Sequence, residues 1–152
     1  MNFKKKVRQS FARQRIMDLI GAKLTKVEKG FCEIQLPYKI ELTQQDAFVH
    51  AGMIGTIADS AGGYAAYTLM EEGASVLTIE YKLNLLAPAI GDIFIARSKV
   101  VKAGKIITVC NSEVFAKTGK KEKLCATATV TLIALRERIG SGLHIRQPNE
   151  SR

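Results

Sequence analysis

The first twenty residues carry apolar side chains three or four positions apart, with basic residues between them. This spacing predicts an amphipathic helix over 3–20, and Gly21 is suited to end it because glycine readily adopts the left-handed conformation of a helix C-cap. Two strands are predicted next, over about 24–36 and 38–43, because Pro37 interrupts the pattern between them.

The segment from His50 to about Met70 differs from its surroundings because it is rich in alanine and other small residues and contains no proline. A run of this length exceeds the usual length of a strand. Its composition and length therefore predict one long and mostly buried helix.

The remainder of the chain alternates between apolar and polar residues, which is the period of a strand. Four strands are predicted, over 76–85, 92–102, 105–116 and 123–136. In the first of them the apolar and polar side chains take opposite faces: Leu77, Ile79, Tyr81, Leu83 and Leu85 against Thr78, Glu80, Lys82 and Asn84. Short turns between long strands imply an antiparallel meander.

The predicted elements are a helix, two strands, one long helix and four antiparallel strands. A single helix cannot cover both faces of such a sheet, so the α+β class is predicted, with an antiparallel sheet wrapped around the central helix. A second subunit is expected to cover the edge and outer face of the sheet. The chain divides into an N-terminal helix at 1–22, a main domain at 23–139 and a flexible tail at 140–152.

At 152 residues the chain suits one domain with its own core. The three cysteines have no paired spacing and lie in strand-like runs, which indicates buried or half-buried thiols in a reducing compartment. Two histidines are too few for a metal cluster, so no metal is predicted. No apolar run reaches the ~18 residues that cross a bilayer, and no signal peptide is apparent, so a cytoplasmic location without a membrane partner is expected.

The net charge of +9 is concentrated in two places. Six basic residues lie in the first fifteen positions, and four lysines lie close together at Lys117, Lys120, Lys121 and Lys123. Such groups are commonly the solvated face of a helix or turn, and they also attract anionic ligands such as nucleic acid or a phosphate-bearing cofactor. Composition leaves both interpretations open.

On the predicted central helix, residues three and four apart are neighbours, so one face collects most of the glycines together with a single acid. This face comprises Gly52, Gly55, Thr56, Asp59, Gly62, Gly63 and Ala66, and the opposite stripe comprises Ile54, Ile57, Ala58, Ala61 and Ala65. Each glycine costs about 1 kcal/mol relative to alanine, which indicates a close neighbour: the sheet, a partner helix or a ligand. Asp59 is either a catalytic carboxylate or an acid hydrogen-bonded at the rim of a closely packed helix.

The tripeptide His50-Ala51-Gly52 lies where this helix begins. The amides of a first helical turn have no intrahelical partners and carry the positive end of the helix dipole. They would stabilise negative charge that develops on a carbonyl oxygen. His50 is alternatively a packing residue that holds the preceding loop.

Two stretches of the sequence resemble the PaaI-like hotdog thioesterases. The first is 42–52 (LTQQDAFVHAG), followed by DSAG at 59–62. The second is 77–89 (LTIEYKLNLLAPA), which is similar to the strand that follows the central helix in that family. The similarity extends over about residues 24–135, so the resemblance implies the hotdog fold, with an extra N-terminal helix.

The resemblance implies hydrolysis of acyl-CoA thioesters without a metal or organic cofactor, coenzyme A being part of the substrate. It implies a site shared between two subunits of a homodimer, or of a tetramer built from two dimers. In that site Asp59 acts as general base or nucleophile, and the amide near Gly52 polarises the thioester carbonyl. A Thr78 hydroxyl from the other subunit helps to place the water, although Thr78 is alternatively an ordinary threonine on the sheet surface.

This sequence departs from the family's commonest pattern in two places. The motif is often His-Gly-Gly, where this chain has His50-Ala51-Gly52. The residue six before the histidine is often asparagine, where this chain has Gln44, whose amide can also donate to a carbonyl. Further substrate contacts are expected at Gln45, Ala51, Gly55, Thr56 and Gly63.

Two other functions stay open. Hydration or dehydration of acyl chains would use His50 with Asp59, although the surrounding residues resemble thioesterases. A binding module without turnover would hold acyl-CoA or nucleic acid. Against nucleic acid, one N-terminal helix is too short for a helix-turn-helix, and no basic stripe is interleaved with aromatic residues.

Overall fold

The computed structural model describes residues 2–135, and within them three α-helices and six strands follow one another. In chain order these are α1 (Phe3–Phe11), α2 (Arg15–Ile20), β1 (Lys23–Glu28), β2 (Phe31–Pro37), α3 (Ala51–Tyr67), β3 (Ser75–Leu85), β4 (Ile93–Ala103), β5 (Ile107–Thr118) and β6 (Lys121–Leu135). A 3-10 turn, Ile40–Leu42, lies between β2 and α3. The predicted tail at 140–152 falls outside the described residues.

The N-terminal segment forms two short helices, so the single helix predicted over 3–20 is wrong. Gln14 takes an extended conformation (φ −82°, ψ 91°) and separates α1 from α2. In one straight helix Val7 and Ile20 would point about 140° apart at 3.6 residues per turn. The break lets both side chains enter the core, where they are buried. Gly21 ends α2 in the left-handed conformation (φ 78°), as predicted.

The strand predicted over 24–36 is a hairpin of two strands. β1 and β2 pair antiparallel and end with Glu28 opposite Phe31. The two-residue turn between them contains Gly30 at φ 72°, a conformation that glycine adopts without strain. The strand predicted over 38–43 is also wrong, because the chain there turns as the 3-10 helix.

All strand pairs in the described sheet are antiparallel, and the strand order is β1-β2-β4-β5-β6-β3. The expected four-strand meander is therefore a three-strand meander, β4-β5-β6. β3 pairs with β6 rather than with β4, and it forms one edge of the sheet. The strand that follows α3 thus has no neighbouring strand on one side within residues 2–135.

α3 packs on the sheet through the apolar stripe predicted as core. The residues of this stripe are at most 1% exposed: Ile54, Ile57, Ala58, Ala61 and Ala65. A Cβ added at Gly62 would lie 3.1 Å from Val130 on β6, so the backbone of α3 approaches the strand closely at this position. For Gly62, the close neighbour predicted from the glycine face is the sheet.

Cys32, Cys110 and Cys125 are buried free thiols, as predicted. Burial raises the pKa of the Cys32 and Cys110 thiols to about 12, which keeps them protonated and poorly reactive. No helix within residues 2–135 is long and apolar enough to cross a membrane.

Candidate active site

Asp59 and Thr78 are brought together from two elements of the same chain. Asp59 lies in the third turn of α3, and Thr78 lies on β3. The Thr78 hydroxyl donates a hydrogen bond to Oδ1 of Asp59 at 2.7 Å. This corrects the expectation that the hydroxyl comes from the other subunit, because Thr78 reaches the carboxylate of its own chain.

A β-bulge at Ile79 explains why Thr78 faces the helix. The register of β3 against β6 pairs Thr78 with Leu132 and then Glu80 with Thr131, so Ile79 is the extra residue. Paired residues of antiparallel strands point to the same side of the sheet, and Leu132 is fully buried. The predicted alternation, with Thr78 and Glu80 on one face, is therefore wrong here, because the bulge turns Thr78 inward.

A cavity of about 160 Å³ opens beside the Asp59 carboxylate. It is lined by residues of α3, of the strands and of the N-terminal segment: Ser10, Gln14, Asp59, Ser60, Gly63, Tyr64, Val76, Thr78 and Leu132. Burial raises the pKa of the Asp59 carboxyl, and the hydrogen bond from Thr78 opposes that rise. A half-buried carboxylate of this kind is suited to accept a proton from a bound water.

His50 caps the N-terminus of α3. Its Nδ1 accepts a hydrogen bond from the Gly52 amide at 2.9 Å, and its own amide donates to the Leu42 carbonyl at 2.9 Å. The ring therefore caps the helix, and the backbone amide ties His50 to the preceding loop. The ring also occupies the amide that is predicted to polarise a substrate carbonyl. The Gly52 amide has to give up its hydrogen bond to His50 and donate to a substrate oxygen in order to act in that way.

Gln44 lies in the loop before α3 and uses part of its side chain locally. Its Oε1 accepts a hydrogen bond from the Asp46 amide. Gln44 and Ala51 line a second cavity, of about 430 Å³, together with residues 85–89 at the end of β3 and just after it. Gln45 is exposed on the same loop. These predicted residues thus gather at the N-terminal end of α3, away from the carboxylate.

Gly55 and Thr56 lie between the two ends of the glycine face. A Cβ at Gly55 would sit 3.0 Å from the Tyr81 hydroxyl, so the absent side chain makes room for this tyrosine of β3. The Thr56 hydroxyl donates to the Gly52 carbonyl at 2.7 Å, one turn back along the helix. At this stretch the glycine face is partly covered by the sheet edge rather than fully open to a ligand.

The predicted catalytic residues of one chain fall into separate places. Gly52 and Asp59 are seven residues apart, which is about 10 Å along the helix axis. One carbonyl group cannot contact both, because a hydrogen bond or an attack requires about 3 Å. His50 lines a further cavity of about 880 Å³ between α2 and the 3-10 turn. Within one chain, the predicted oxyanion amide and the predicted carboxylate therefore lie too far apart to act on the same carbonyl group.

Three residues of the Asp59 cavity have no signal in the sequence pattern: Ser10, Gln14 and Tyr64. Ser10 and Gln14 belong to a segment whose polar residues are typical of a solvated helix face. The break before α2 brings Gln14 toward α3. Within residues 2–135, no group of three His, Cys, Asp or Glu side chains is placed to hold a metal ion.

The family model of the Thioesterase superfamily matches residues 47–123, about half of the chain. The crystal structure of a thioesterase family protein from Silicibacter pomeroyi, 47% identical, superposes with a TM-score of 0.87 over 88% of this chain and 98% of that one. A relative from Saccharolobus solfataricus is 30% identical over 131 residues, which cover 86% of this chain and 85% of that protein. The 1,4-dihydroxy-2-naphthoyl-CoA hydrolase of Listeria monocytogenes is 24% identical, and the match covers 81% of this chain and 98% of that protein.

The chain belongs to the Thioesterase superfamily. The match confirms the predicted resemblance to hotdog thioesterases, and the six-stranded antiparallel sheet with its long helix confirms the predicted fold. The protein is therefore an enzyme, and its general activity is thioester hydrolysis.

Proposed function

We propose that the protein is an acyl-CoA thioesterase, which hydrolyses the thioester to a free acid and coenzyme A with Asp59 as its catalytic carboxylate. The observation that carries this proposal is the Asp59 carboxylate, held by the Thr78 hydroxyl at 2.7 Å beside a small cavity. An ionisable acid on a mostly buried helix is costly without a task, and thioester hydrolysis provides one.

Both chemical routes open to this carboxylate give the same products. As general base, Asp59 takes a proton from water while the water oxygen attacks the thioester carbonyl carbon; as nucleophile, its own oxygen attacks that carbon. A tetrahedral oxyanion forms, the C–S bond breaks, and the thiolate of coenzyme A leaves and is protonated. On the nucleophile route the acyl group is left on Asp59 as a mixed anhydride, and a water then hydrolyses it to the free acid and the free carboxylate. Both routes need Asp59 ionised, and the hydrogen bond from Thr78 favours that form.

A second copy of the chain completes the site in this proposal. The edge strand β3 carries large apolar side chains that are 46–56% exposed: Leu77, Ile79, Tyr81 and Leu85. Two such edges that pair about a two-fold axis run antiparallel and cover these side chains. The two α3 helices then also run antiparallel, which brings the N-terminus of one toward the Asp59 region of the other. A homodimer, alone or within a tetramer of two dimers, is the unit that this arrangement supports.

At the shared site the first turn of α3 binds the developing oxyanion. The Gly52 amide, released from His50, donates to the carbonyl oxygen, and the positive end of the helix dipole adds to the attraction. Gln44 and Ala51 line the neighbouring cavity and are positioned to contact the thioester arm. The other expected substrate contacts stay predictions: Gln45, Gly55, Thr56 and Gly63.

The basic end of the β5–β6 hairpin is the proposed counterpart of the coenzyme A phosphates. This cluster comprises Lys117, Lys120, Lys121 and Lys123. The Lys117 carbonyl accepts a hydrogen bond from the Asp92 amide at 2.8 Å, and the Val49 amide donates to the Ala89 carbonyl at 3.4 Å. The segment that carries Ala89 and Asp92 therefore links the cluster to the loop before α3. Positive charge at this end of the molecule would attract the phosphates as the substrate approaches.

Release of free thiol from acyl-CoAs of increasing chain length tests the proposal with three proteins: the wild type, Asp59→Asn and Asp18→Asn. Asp18 is an exposed acid of α2 and provides the matched control. The wild type and Asp18→Asn are expected to hydrolyse at least one acyl-CoA, and Asp59→Asn is expected to lose at least about 100-fold in kcat. Acyl-CoA binding without hydrolysis by the wild type would favour the non-catalytic alternative.

Mixed dimers test whether the site is shared. Gly52→Pro removes the amide hydrogen from the first helical turn, where proline is tolerated, and Asp59→Asn removes the carboxylate. Each variant alone is expected to be inactive. A mixed dimer of the two contains one site with both Gly52 and Asp59 intact, so activity should return to about half of the wild-type level. No recovery in a folded mixed dimer would contradict a site that pairs Gly52 of one chain with Asp59 of the other.

A further inference from the structure

The N-terminal segment is fixed along one side of α3. The ring of Phe11 lies 5.6 Å from the ring of Tyr64. The Lys6 ammonium donates to the Met70 carbonyl at 2.7 Å and lies 4.2 Å from the centre of the Tyr67 ring. A cation at the C-terminal end of a helix is favoured by the helix dipole and by the aromatic face. These contacts make α1 part of the wall beside α3.

This wall places two polar side chains in the catalytic cavity. Ser10, near the end of α1, and Gln14, just before α2, line the same 160 Å³ cavity as Asp59 and Thr78. Both are partly buried. Neither residue lies within the segment 47–123 that the superfamily model matches. The contribution of the N-terminal segment to the cavity is therefore separate from the features that define the family.

Tyr64 lines the same cavity and lies beside both of these side chains. Its hydroxyl lies 3.5 Å from Oε1 of Gln14. Burial raises the pKa of the Tyr64 phenol, and an interaction with the Ser10 side chain opposes that rise. A separation of 3.5 Å is long for an O–H···O bond, whose usual length is about 2.7–2.8 Å. The Gln14 amide can therefore turn to a ligand at little cost.

We propose that Ser10 and Gln14 are specificity-determining residues, which hydrogen-bond a polar group at the end of a short acyl chain. The inference rests on the proposed acyl-CoA hydrolysis, because it requires the thioester carbonyl to lie at Asp59. Tyr64 donates to Oε1 of Gln14 and not to its amide hydrogens, so an apolar chain end would leave those hydrogens facing carbon, at a cost of about 1–3 kcal/mol per unpaired group. A chain end with a hydroxyl or carbonyl satisfies them.

The volume of the cavity within one chain indicates the length of acyl chain whose end Ser10 and Gln14 can contact. A cavity of about 150 Å³ in another protein holds one benzene molecule, which has six carbon atoms. A cavity of about 160 Å³ therefore accepts about six non-hydrogen atoms beyond the thioester carbonyl. The substrate class is an acyl group of about this size with a polar group at its far end.

Two substrates of equal length test the inference: 6-hydroxyhexanoyl-CoA and heptanoyl-CoA. The measured quantity is the ratio of their kcat/KM values. The wild type is expected to prefer the hydroxylated substrate by about tenfold. Gln14→Ala combined with Ser10→Ala is expected to bring the ratio to about one, mainly by loss of activity on the hydroxylated substrate. Gln9→Ala, an exposed glutamine of α1, should keep the wild-type ratio.

The inference would be overturned if the kcat/KM ratio were near one in the wild type or unchanged in the double variant. The proposed hydrolysis by Asp59 would not be affected by either result. Absence of hydrolysis by the wild type on every acyl-CoA would overturn the proposed function and this inference with it. Folding is checked by thermal unfolding, and the side chain of Gln14 makes no capping bond that its removal would break. As a second test, Ser10→Phe fills the cavity and should abolish hydrolysis of heptanoyl-CoA while acetyl-CoA is still hydrolysed.

Discussion

The hydroxyl of Thr78 donates a 2.7 Å hydrogen bond to Asp59, and this bond joins α3 to the edge strand β3 within one chain. Burial raises the pKa of the carboxyl, while the bond from Thr78 opposes the rise. The pair therefore sets how much of Asp59 is ionised at a given pH. It also connects the acid to the strand that is proposed to form the dimer edge.

Replacement of Thr78 by valine removes the hydrogen-bond donor and keeps a similar shape. The pKa of Asp59 is then expected to rise further, because burial acts unopposed. Since the ionised carboxylate is the active form, the acid limb of the kcat/KM profile should move to higher pH, with the greatest loss of activity on the acidic side. The measurement is the pH dependence of kcat/KM for one acyl-CoA.

Thr129→Val provides the control for this profile, because Thr129 is an exposed threonine on β6. Its profile is expected to overlie that of the wild type. An unshifted acid limb in Thr78→Val would show that the hydrogen bond does not determine the ionisation of Asp59.

The raised pKa of Asp59 also predicts a stability effect of Asp59→Asn. The folded state binds the carboxyl proton more tightly than the unfolded state does, so stability from this group is present below the ordinary pKa of 3.8 and is lost as pH rises through the folded pKa. Asparagine has no such ionisation and keeps an acceptor for Thr78. Asp59→Asn is therefore expected to raise Tm at neutral pH and to lose that advantage in acid.

Calorimetric unfolding at several pH values measures this difference, with Asp18→Asn as the exposed-acid control. A gain in stability with a loss of activity is common for substitutions in active sites. A neutral-pH Tm at or below that of the wild type would contradict the stated direction of the pKa shift.

The long helix and its acid could be predicted from the sequence because their signals are local. Ile54 and Ile57 repeat at helical spacing, and both are fully or almost fully buried. Asp59 is the single acid of the glycine face, and the resemblance to thioesterases points to the same position. The contact between Asp59 and Thr78 within one chain could not be predicted from the strand pattern, because strict alternation turns Thr78 outward. Only the extra residue Ile79, visible from the register with β6, turns it inward.

The remaining errors concern contacts between distant parts of the chain. The pairing of β3 with β6 joins strands that are separated by two others in sequence, and alternation within a strand carries no information about its neighbour. Ser10 and Gln14 line the Asp59 cavity, where the chain breaks between α1 and α2. That break depends on where Val7 and Ile20 pack, and their packing is determined by the folded core rather than by the local sequence.

The adjacent glycines Gly62 and Gly63 are expected to respond in opposite ways to alanine. A Cβ at Gly62 would lie 3.1 Å from two carbons of Val130, whose β-branched side chain on a paired strand has little freedom to move. Gly62→Ala should therefore destabilise the fold by about 1–3 kcal/mol. A Cβ at Gly63 would lie 3.6 Å from Leu132, an ordinary contact, so better helix propensity should stabilise Gly63→Ala by up to about 1 kcal/mol.

Denaturant unfolding of the two variants gives both free energies of unfolding. Gly63 lines the Asp59 cavity, so Gly63→Ala should also narrow it and lower kcat/KM for longer acyl chains. A Gly62→Ala protein more stable than the wild type would show that Val130 moves aside. A less stable Gly63→Ala protein would show that the contact with Leu132 is tighter than its distance indicates.

The lysines at the end of the β5–β6 hairpin are expected to affect capture of coenzyme A rather than chemistry. In the double variant Lys120→Glu/Lys121→Glu, KM for an acyl-CoA should rise by about tenfold at low salt, with kcat little changed, because phosphates are attracted less strongly. The rise should shrink as salt screens the charges. The same acyl group on N-acetylcysteamine has no phosphates, so its KM should stay unchanged. Lys99→Glu/Lys102→Glu alters the net charge equally on exposed positions of β4, near the opposite end of the sheet, and is the matched control. An equal rise in KM for both thioesters, or for both double variants, would show that this hairpin is not the phosphate-binding surface.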